Sequence, residues 1–441
     1  MNEIAAAKTV NAFPPSKKID AVSSTVAKLL AGADIEDGGD FFRIIFDDED
    51  SNVHKEDFEL AQTIAKEIAH VSELSFPVTS ITDALEIKSI AAKKLAKRSE
   101  QDVGKNKVVM LKDKSGSGYW RMLIPARYMD RSKFSIDVSE IGVHFSDLMD
   151  YDTIFVQRVH TWDEFYTVER LKENGKKIVY DIDDDIFSIP ESNPAFDIMG
   201  NDYQESAAAM MELVDAITTT SQVLKEKLGH KEKTFVIPNA IDLKDGWRST
   251  GYVGSPDNKK RILWQGSATH GEDWKLCIEA IDEIMKENDE VLLLILGYLP
   301  PVVQNYLEDP SATWWDDKVQ YMDFSEPETY ARISKQIRAD VALAPLESSE
   351  FNRSKSCIKF VEFTAMGIPT IASNVTPYKE VIRHGENGFM ASTKDEWKEI
   401  IESCFASPAL RSKIVSSARQ TVIESFNINR VIKEWEKVLT I

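Results

Sequence analysis

The sequence predicts an α/β protein with two doubly wound, Rossmann-like sheets, preceded by an added region of mainly helical character. Three observations carry this. From residue 107 onward, short apolar runs of strand length alternate with longer amphipathic stretches, the pattern of a parallel sheet covered by helices. The series runs twice, with a break rich in Gly, Ser, Pro and Asn over 250–258 between the two halves. A length of 441 residues with 43% hydrophobic content suits two or three domains with ordinary cores.

The elements follow in order. Residues 1–104 have a polar start, the acidic run Asp47-Asp48-Glu49-Asp50, and helical periodicity over 58–71 and 81–95. Residues 105–250 form the first Rossmann-like domain, with strands expected at Val108-Val109-Met110-Leu111, Thr153-Ile154-Phe155-Val156, Lys177-Ile178-Val179-Tyr180, Ala216-Ile217-Thr218-Thr219 and Thr234-Phe235-Val236-Ile237. Residues 259–425 form the second, with strands at Ile262-Leu263-Trp264, 291–296, Val319-Gln320-Tyr321, 341–344 and 369–372. Residues 426–441 read as a closing helix with Trp435 on its apolar side.

Composition narrows the function classes. The net charge of −20 opposes indiscriminate binding to polyanions, although 88–133 is rich in Lys and Arg and leaves a polyanionic acceptor open beside a merely solvated basic surface. No apolar run reaches the roughly 20 residues of a membrane span, and the N-terminus lacks the signature of a cleaved leader. Cys277, Cys357 and Cys404 have no paired spacing, which argues for a reducing compartment and against a disulfide framework or a metal site. A cytoplasmic location is expected.

The densest signals lie in 351–389. Small polar and basic residues from Asn352 to Ser356 precede the amphipathic run Ile358–Met366, so a helix would open toward an anion with unpaired N–H groups. Lys355 and Lys359, four apart, reach the same side of that end. Gly367 stops the helix, and Pro369-Thr370-Ile371-Ala372-Ser373 resumes as an apolar strand. Glu362 is the one acid on an otherwise apolar helix. Together these point to a nucleotide site.

Glu362, Ala365-Met366-Gly367-Ile368-Pro369, Glu380-Val381-Ile382 and Asn387-Gly388 resemble the donor-sugar motif of retaining GT-B glycosyltransferases of the family 4 type. The resemblance covers about three quarters of the chain, from residue 107 to the end, and implies two Rossmann-like domains facing a cleft, with the final helix crossing back to the first domain. It implies that Glu362 grips the nucleotide ribose. Where the family has a first Glu, this chain has Ser354; Lys355-Ser356 with Lys359 looks like a variant found in bacteriophage enzymes, some of which glycosylate hydroxymethylated pyrimidines in DNA. The loop after the first strand of the second sheet, with Gly266, Ser267 and His270, resembles the family's diphosphate-holding loop, with Ser267 for its Arg and His270 near the place of its Lys. Ile237-Pro238-Asn239-Ala240-Ile241-Asp242 resembles the segment leading into the linker between domains.

The implied donor set is therefore Gly266, Ser267, Ser354, Ser356 and Glu362, with Lys355, Lys359 and His270 stabilising the leaving diphosphate. In the first domain, Ser115-Gly116-Ser117-Gly118 gives flexible backbone at a strand end, where a ligand approach and a plain tight turn stand as alternatives. Arg121 and His160 are further acceptor-side or cleft candidates. Tyr180-Asp181-Ile182-Asp183-Asp184-Asp185 clusters acids at a strand end; Asp183 and Asp184 either orient an acceptor hydroxyl, act as general base, hold a divalent cation, or form a solvated loop with a helix cap. The family generally needs no metal, so none is assigned. The donor is expected to be a nucleoside diphosphate sugar; acceptors to weigh are hydroxymethylpyrimidine DNA, surface polysaccharide or lipid-linked sugar, and protein. A nucleotide-binding scaffold without catalysis stays open, and a dinucleotide oxidoreductase is disfavoured because no Gly-x-Gly-x-x-Gly follows either first strand.

Overall fold

The computed structural model describes the backbone at 34–37, 41–46 and 49–54, and from 104 to 441 all residues except 114, 142–144, 159–160, 198, 244–246, 248–256, 258, 324–329, 331–332 and 335. The chain divides into two compact units, one of residues 1–157 with 167–178, the other of residues 158–166 with 179–441. Strands β1 (Asp34–Asp37), β2 (Phe41–Phe46) and β3 (Glu49–His54) make a small antiparallel sheet, with Ile45 opposite Asp34 and Glu49 opposite Phe46. No strand is expected there from the sequence. The expected helices over 58–71 and 81–95 lie outside the described residues.

The first six-stranded sheet takes β4 (Asn106–Lys112), β5 (Phe134–Glu140), β6 (Thr153–Gln157), β7 (Lys177–Asp181), β8 (Ala216–Thr219) and β9 (Thr234–Val236) in the order β5-β4-β6-β7-β8-β9. The second takes β10 (Lys260–Gly266), β11 (Val291–Gly297), β12 (Val319–Met322), β13 (Val341–Ala344), β14 (Thr370–Ser373) and β15 (Phe389–Ala391) in the order β12-β11-β10-β13-β14-β15. Every strand predicted for 105–425 is present, and the strand pairings within each sheet are parallel. The apolar runs explain why: Val108 to Leu111, Ile154 to Val156, Ile262 to Trp264 and Val341 to Ala344 are all buried, as strands covered on both faces must be.

In the second sheet the chain winds outward from β10 through β11 to β12, then returns to β13 and winds the other way. The order therefore reverses between β10 and β13, and in an open parallel sheet the carboxyl ends at such a point form the natural ligand crevice. Its core packs Trp264, Trp274, Trp315 and Trp397 around the strands. The last helix, Ile428–Leu439, buries Trp435 as its periodicity requires, and Ile241 pairs with Asn427 just before it. Among the described residues no helix is long and apolar enough to cross a membrane.

Candidate active site

Two segments leave the reversal point. One follows β10. Gly266 ends that strand, and a Cβ there would lie 2.6 Å from the Trp264 ring. Its neighbour Gly297 has φ +96°, and a Cβ on it would lie 2.6 Å from the Gly266 carbonyl, which accepts the Tyr298 N–H at 2.9 Å. Only glycine fits at either place, so the two strand ends close on each other and the chain turns at once into Ser267 and the short helical turn Ala268–His270. Ser267 is exposed, with its hydroxyl 2.8 Å from that of Thr269.

The second segment follows β13. Ser349 caps the turn Glu350–Arg353, and the helix Ile358–Met366 begins after Cys357 with no side-chain cap. Its apolar sequence is buried throughout from Lys359 to Met366, and Gly367, at φ 75°, ends it with Ile368 N–H bonded back to the Phe363 carbonyl at 2.9 Å. The loop between is fastened from three sides: Ser221 Oγ donates to the Ser354 carbonyl at 2.7 Å, Asn239 Nδ2 to Ser356 Oγ at 3.2 Å, and Lys227 Nζ reaches the Glu350 carboxylate at 3.0 Å. Ser354, at the position of the family's first acid, has no solvent exposure, and its hydroxyl donates to the Glu350 carbonyl. It holds the loop's shape.

These segments bring Lys359, Glu362, Gly266 and His270 together. Lys359 Nζ donates to the Gln265 carbonyl at 2.7 Å and lies 5.7 Å from the Trp264 ring centre. Glu362 accepts from Gln265 Nε2, whose Oε1 accepts from Tyr330 Oη, so the amide is held from both ends. Lys355 rests over the Phe351 ring at 4.7 Å. Neither lysine forms an ion pair with a carboxylate among the described residues. Burial holds the Lys359 ammonium down to about 8, with Glu362 pulling the other way and Lys355 adding to the depression.

His270 Nδ1 stands 2.7 Å from Asp273 Oδ2, and the other oxygen, Asp273 Oδ1, accepts the Glu347 N–H at 2.8 Å. Burial, Lys359 and Lys355 push the imidazole well below its usual range, against an opposing pull from Asp184. The close contact is thus a hydrogen bond from a neutral ring to a carboxylate and not an ion pair.

The candidates of the first sheet fare differently. The turn at Gly116 and Gly118 is already filled by the chain's own Asp113, whose carboxylate accepts from Ser115 N–H and Oγ, Ser117 Oγ and Gly118 N–H. A Cβ on Gly118 would meet the Asp113 carbonyl at 2.5 Å, so the glycine serves this internal closure, whereas Gly116 has open space around it. Arg121, expected to face a ligand, is completely enclosed within the turn Tyr119–Leu123. His160 lies outside the described residues. The acids after β7 are shared out among partners: Arg158 binds Asp183 at 2.7 Å and Asp184 at 3.0 Å, Lys227 binds Asp185, and Thr218 donates to Asp181. Arg158 does so from φ 47°, a backbone position costly for a residue with a Cβ. Among the described residues no group of three or more acidic, His or Cys side chains could hold a metal.

Sequence reasoning missed Gln265, Tyr330, Asp273 and Arg158. Asp273 had a legible signal, standing three residues after His270 on a helical turn. The other three act through contacts between distant parts of the chain.

The family model described as Glycosyl transferases group 1 matches residues 249–421, which contain every residue of the β10 and β13 segments. Among solved structures, HepE from Anabaena in complex with UDP-glucose is similar over 76% of this chain and 99% of its own, with 16% identity and a TM-score of 0.57. The same protein with UDP gives 15% identity and a TM-score of 0.55 over 76% and 100%. Sucrose-phosphate synthase from Thermosynechococcus elongatus gives 14% and 0.55 over 76% and 98%. No curated protein sequence matches the chain. Residues 249–421 are thus similar to the glycosyl transferases group 1 domain, and the two parallel six-stranded sheets have the GT-B fold of these glycosyltransferase structures.

Proposed function

We propose that this protein is a retaining transferase that moves a sugar from a nucleoside diphosphate sugar to an acceptor hydroxyl. The observation that carries it is the pair Lys355 and Lys359, two ammonium groups without carboxylate partners among the described residues, beside a glycine turn at the reversal point of the sheet. A buried cation and a half-buried one left in this state call for an anionic ligand. A diphosphate supplies one, and Glu362 supplies an acceptor for ribose hydroxyls.

In the reaction the bond from the anomeric carbon to the leaving phosphate oxygen breaks while a bond from the same face of that carbon to the acceptor oxygen forms. The hydroxyl proton passes to the departing phosphate oxygen. Charge grows on the diphosphate as the bond opens, and Lys355, Lys359 and His270 are placed to hold it. Asp183 and Asp184, clamped on Arg158, shape the acceptor side without themselves taking the proton. No metal enters this scheme.

Uridine nucleotides are the first donors to test, because the neighbour HepE is seen with UDP and with UDP-glucose. Hydroxymethylpyrimidine DNA is the first acceptor. Its support in the basic stretch is reduced within the described residues, since Arg121 is enclosed, Arg131 donates to two backbone carbonyls, and Lys133 pairs with Asp130. Phosphate contacts to DNA would have to come from 88–103 and Lys114, outside the described residues, and from the exposed Lys107. The test is release of nucleoside diphosphate from a panel of sugar nucleotides, with and without such DNA, and the anomeric configuration of any product by NMR. Release with retained configuration is expected; an inverted product would remove the retaining assignment, and binding without release would leave a scaffold.

Donor affinity is expected to fall more steeply with pH once it passes about 8. Below that value free Lys359 already carries its proton; above it, binding an anion must recruit one, which weakens affinity up to about tenfold per pH unit. Titration with UDP-glucose between about pH 7 and 9.5 checks this, and a profile that does not steepen above about 8 would show that Lys359 does not meet the donor.

A further inference from the structure

Asp273 has no counterpart in the motifs read from the sequence, yet with His270 it makes a built arrangement. Asp273 is 4% exposed, and both carboxylate oxygens are committed, one to His270 Nδ1 and one to the Glu347 N–H. Because Oδ1 is fixed on a backbone donor, Oδ2 is fixed on the ring. A carboxylate accepts, so the proton of a neutral imidazole sits on Nδ1, and Nε2 carries a lone pair. That nitrogen makes no hydrogen bond among the described residues. A lone pair cannot hold a phosphate oxygen. Either His270 stays out of the donor site or it gains a proton when the donor arrives.

The surroundings favour the second outcome. The groups acting on the ring are Lys359, Lys355, Asp184 and Asp273, with Glu347 bearing in turn on Asp273. The two lysines keep the empty site too positive for a third cation. A diphosphate bridging them cancels that repulsion, and the Asp273 carboxylate is already in place to balance an imidazolium. Resting on the transferase reading above, we infer that Asp273 is a positioning residue that presents His270 Nε2 to the donor diphosphate, and that donor binding places a proton on Nε2. The proton comes from solvent. His270 then becomes a third cationic contact that exists only while the donor is bound, and the free enzyme avoids carrying three clustered positive charges.

The test is calorimetry of UDP-glucose, and of the other sugar nucleotides of the panel, at about pH 7 in MOPS and in imidazole, whose ionisation enthalpies differ. A sugar diphosphate is a diester with no proton of its own to exchange near neutrality, and Lys359 is already charged there. The wild type is expected to take up close to one proton per donor bound. In Asp273→Asn, Oδ1 still accepts the Glu347 N–H, so the Asn amide donates to His270 Nδ1 and the ring proton moves to Nε2. That ring can meet phosphate as a neutral donor, so the variant is expected to bind with little or no proton uptake and about tenfold lower affinity. Loss of packing alone would not change the number of protons. Equal heats in both buffers for the wild type, or undiminished uptake in Asp273→Asn, would overturn the inference while leaving the transferase standing. Failure of every sugar nucleotide to bind would overturn both.

Discussion

Replacing Lys359 with methionine is expected to lower turnover by roughly 100- to 1000-fold, the range found when one preorganised donor to a developing negative charge is removed. Methionine keeps the length of the stem in a site where Lys359 is only 8% exposed, so the helix Ile358–Met366 should remain packed. Stability should move the opposite way to activity. Burial depresses the ammonium of Lys359, so at neutral pH the folded state bears the cost of keeping it charged, and that cost vanishes in the variant. The loss of the hydrogen bond to the Gln265 carbonyl offsets part of the gain. Thermal melting near neutrality should therefore be unchanged or slightly higher while nucleoside diphosphate release collapses. Full activity in Lys359→Met would remove the lysine from the site.

The second large effect belongs to Glu362. Its loss in Glu362→Ala is expected to weaken donor binding by about 10- to 100-fold, the worth of a hydrogen bond to a charged group in a buried site. If the carboxylate grips the ribose, the wild type should prefer UDP-glucose over its 2′,3′-dideoxy analogue, and the variant should bind both alike. The substitution also acts at a distance of one helical turn. Glu362 holds the Lys359 ammonium up against burial, so without it the lysine loses its proton at lower pH, and the fall in affinity with rising pH should steepen below 8. A variant with weaker binding but an unmoved pH profile would separate Glu362 from Lys359.

The strands at 105–425 were legible because parallel strands buried on both faces read as unbroken apolar runs, as in Val108-Val109-Met110-Leu111 and Val341-Ala342-Leu343-Ala344. The missed ones lie where that condition fails. Phe134-Ser-Ile-Asp-Val-Ser-Glu alternates apolar and polar residues at one edge of its sheet, and Phe389–Ala391 is three residues long at the edge of the other. Lys355, Lys359 and Glu362 were legible because one helix and the loop before it place them together at fixed spacing. Gln265 and Tyr330 were not, since 97 and 65 residues of sequence separate the partners that only the fold unites. Arg121 and the Ser115–Gly118 turn were ambiguous for a related reason: glycines at a strand end look alike whether they await a ligand or close on the chain's own Asp113, and an arginine looks alike whether it is exposed or enclosed.

The fastening of the loop 350–356 bears on how this enzyme can be recombined. That loop depends on Ser221, Lys227 and Asn239, all of which precede the 250–258 break that looks like the natural place to cut. A chimera joined there, taking the donor half from this protein and the preceding half from a relative, would inherit Lys355 and Lys359 without the three struts that position them. Transplanting the proposed donor site therefore means carrying those three side chains across the seam along with the motif.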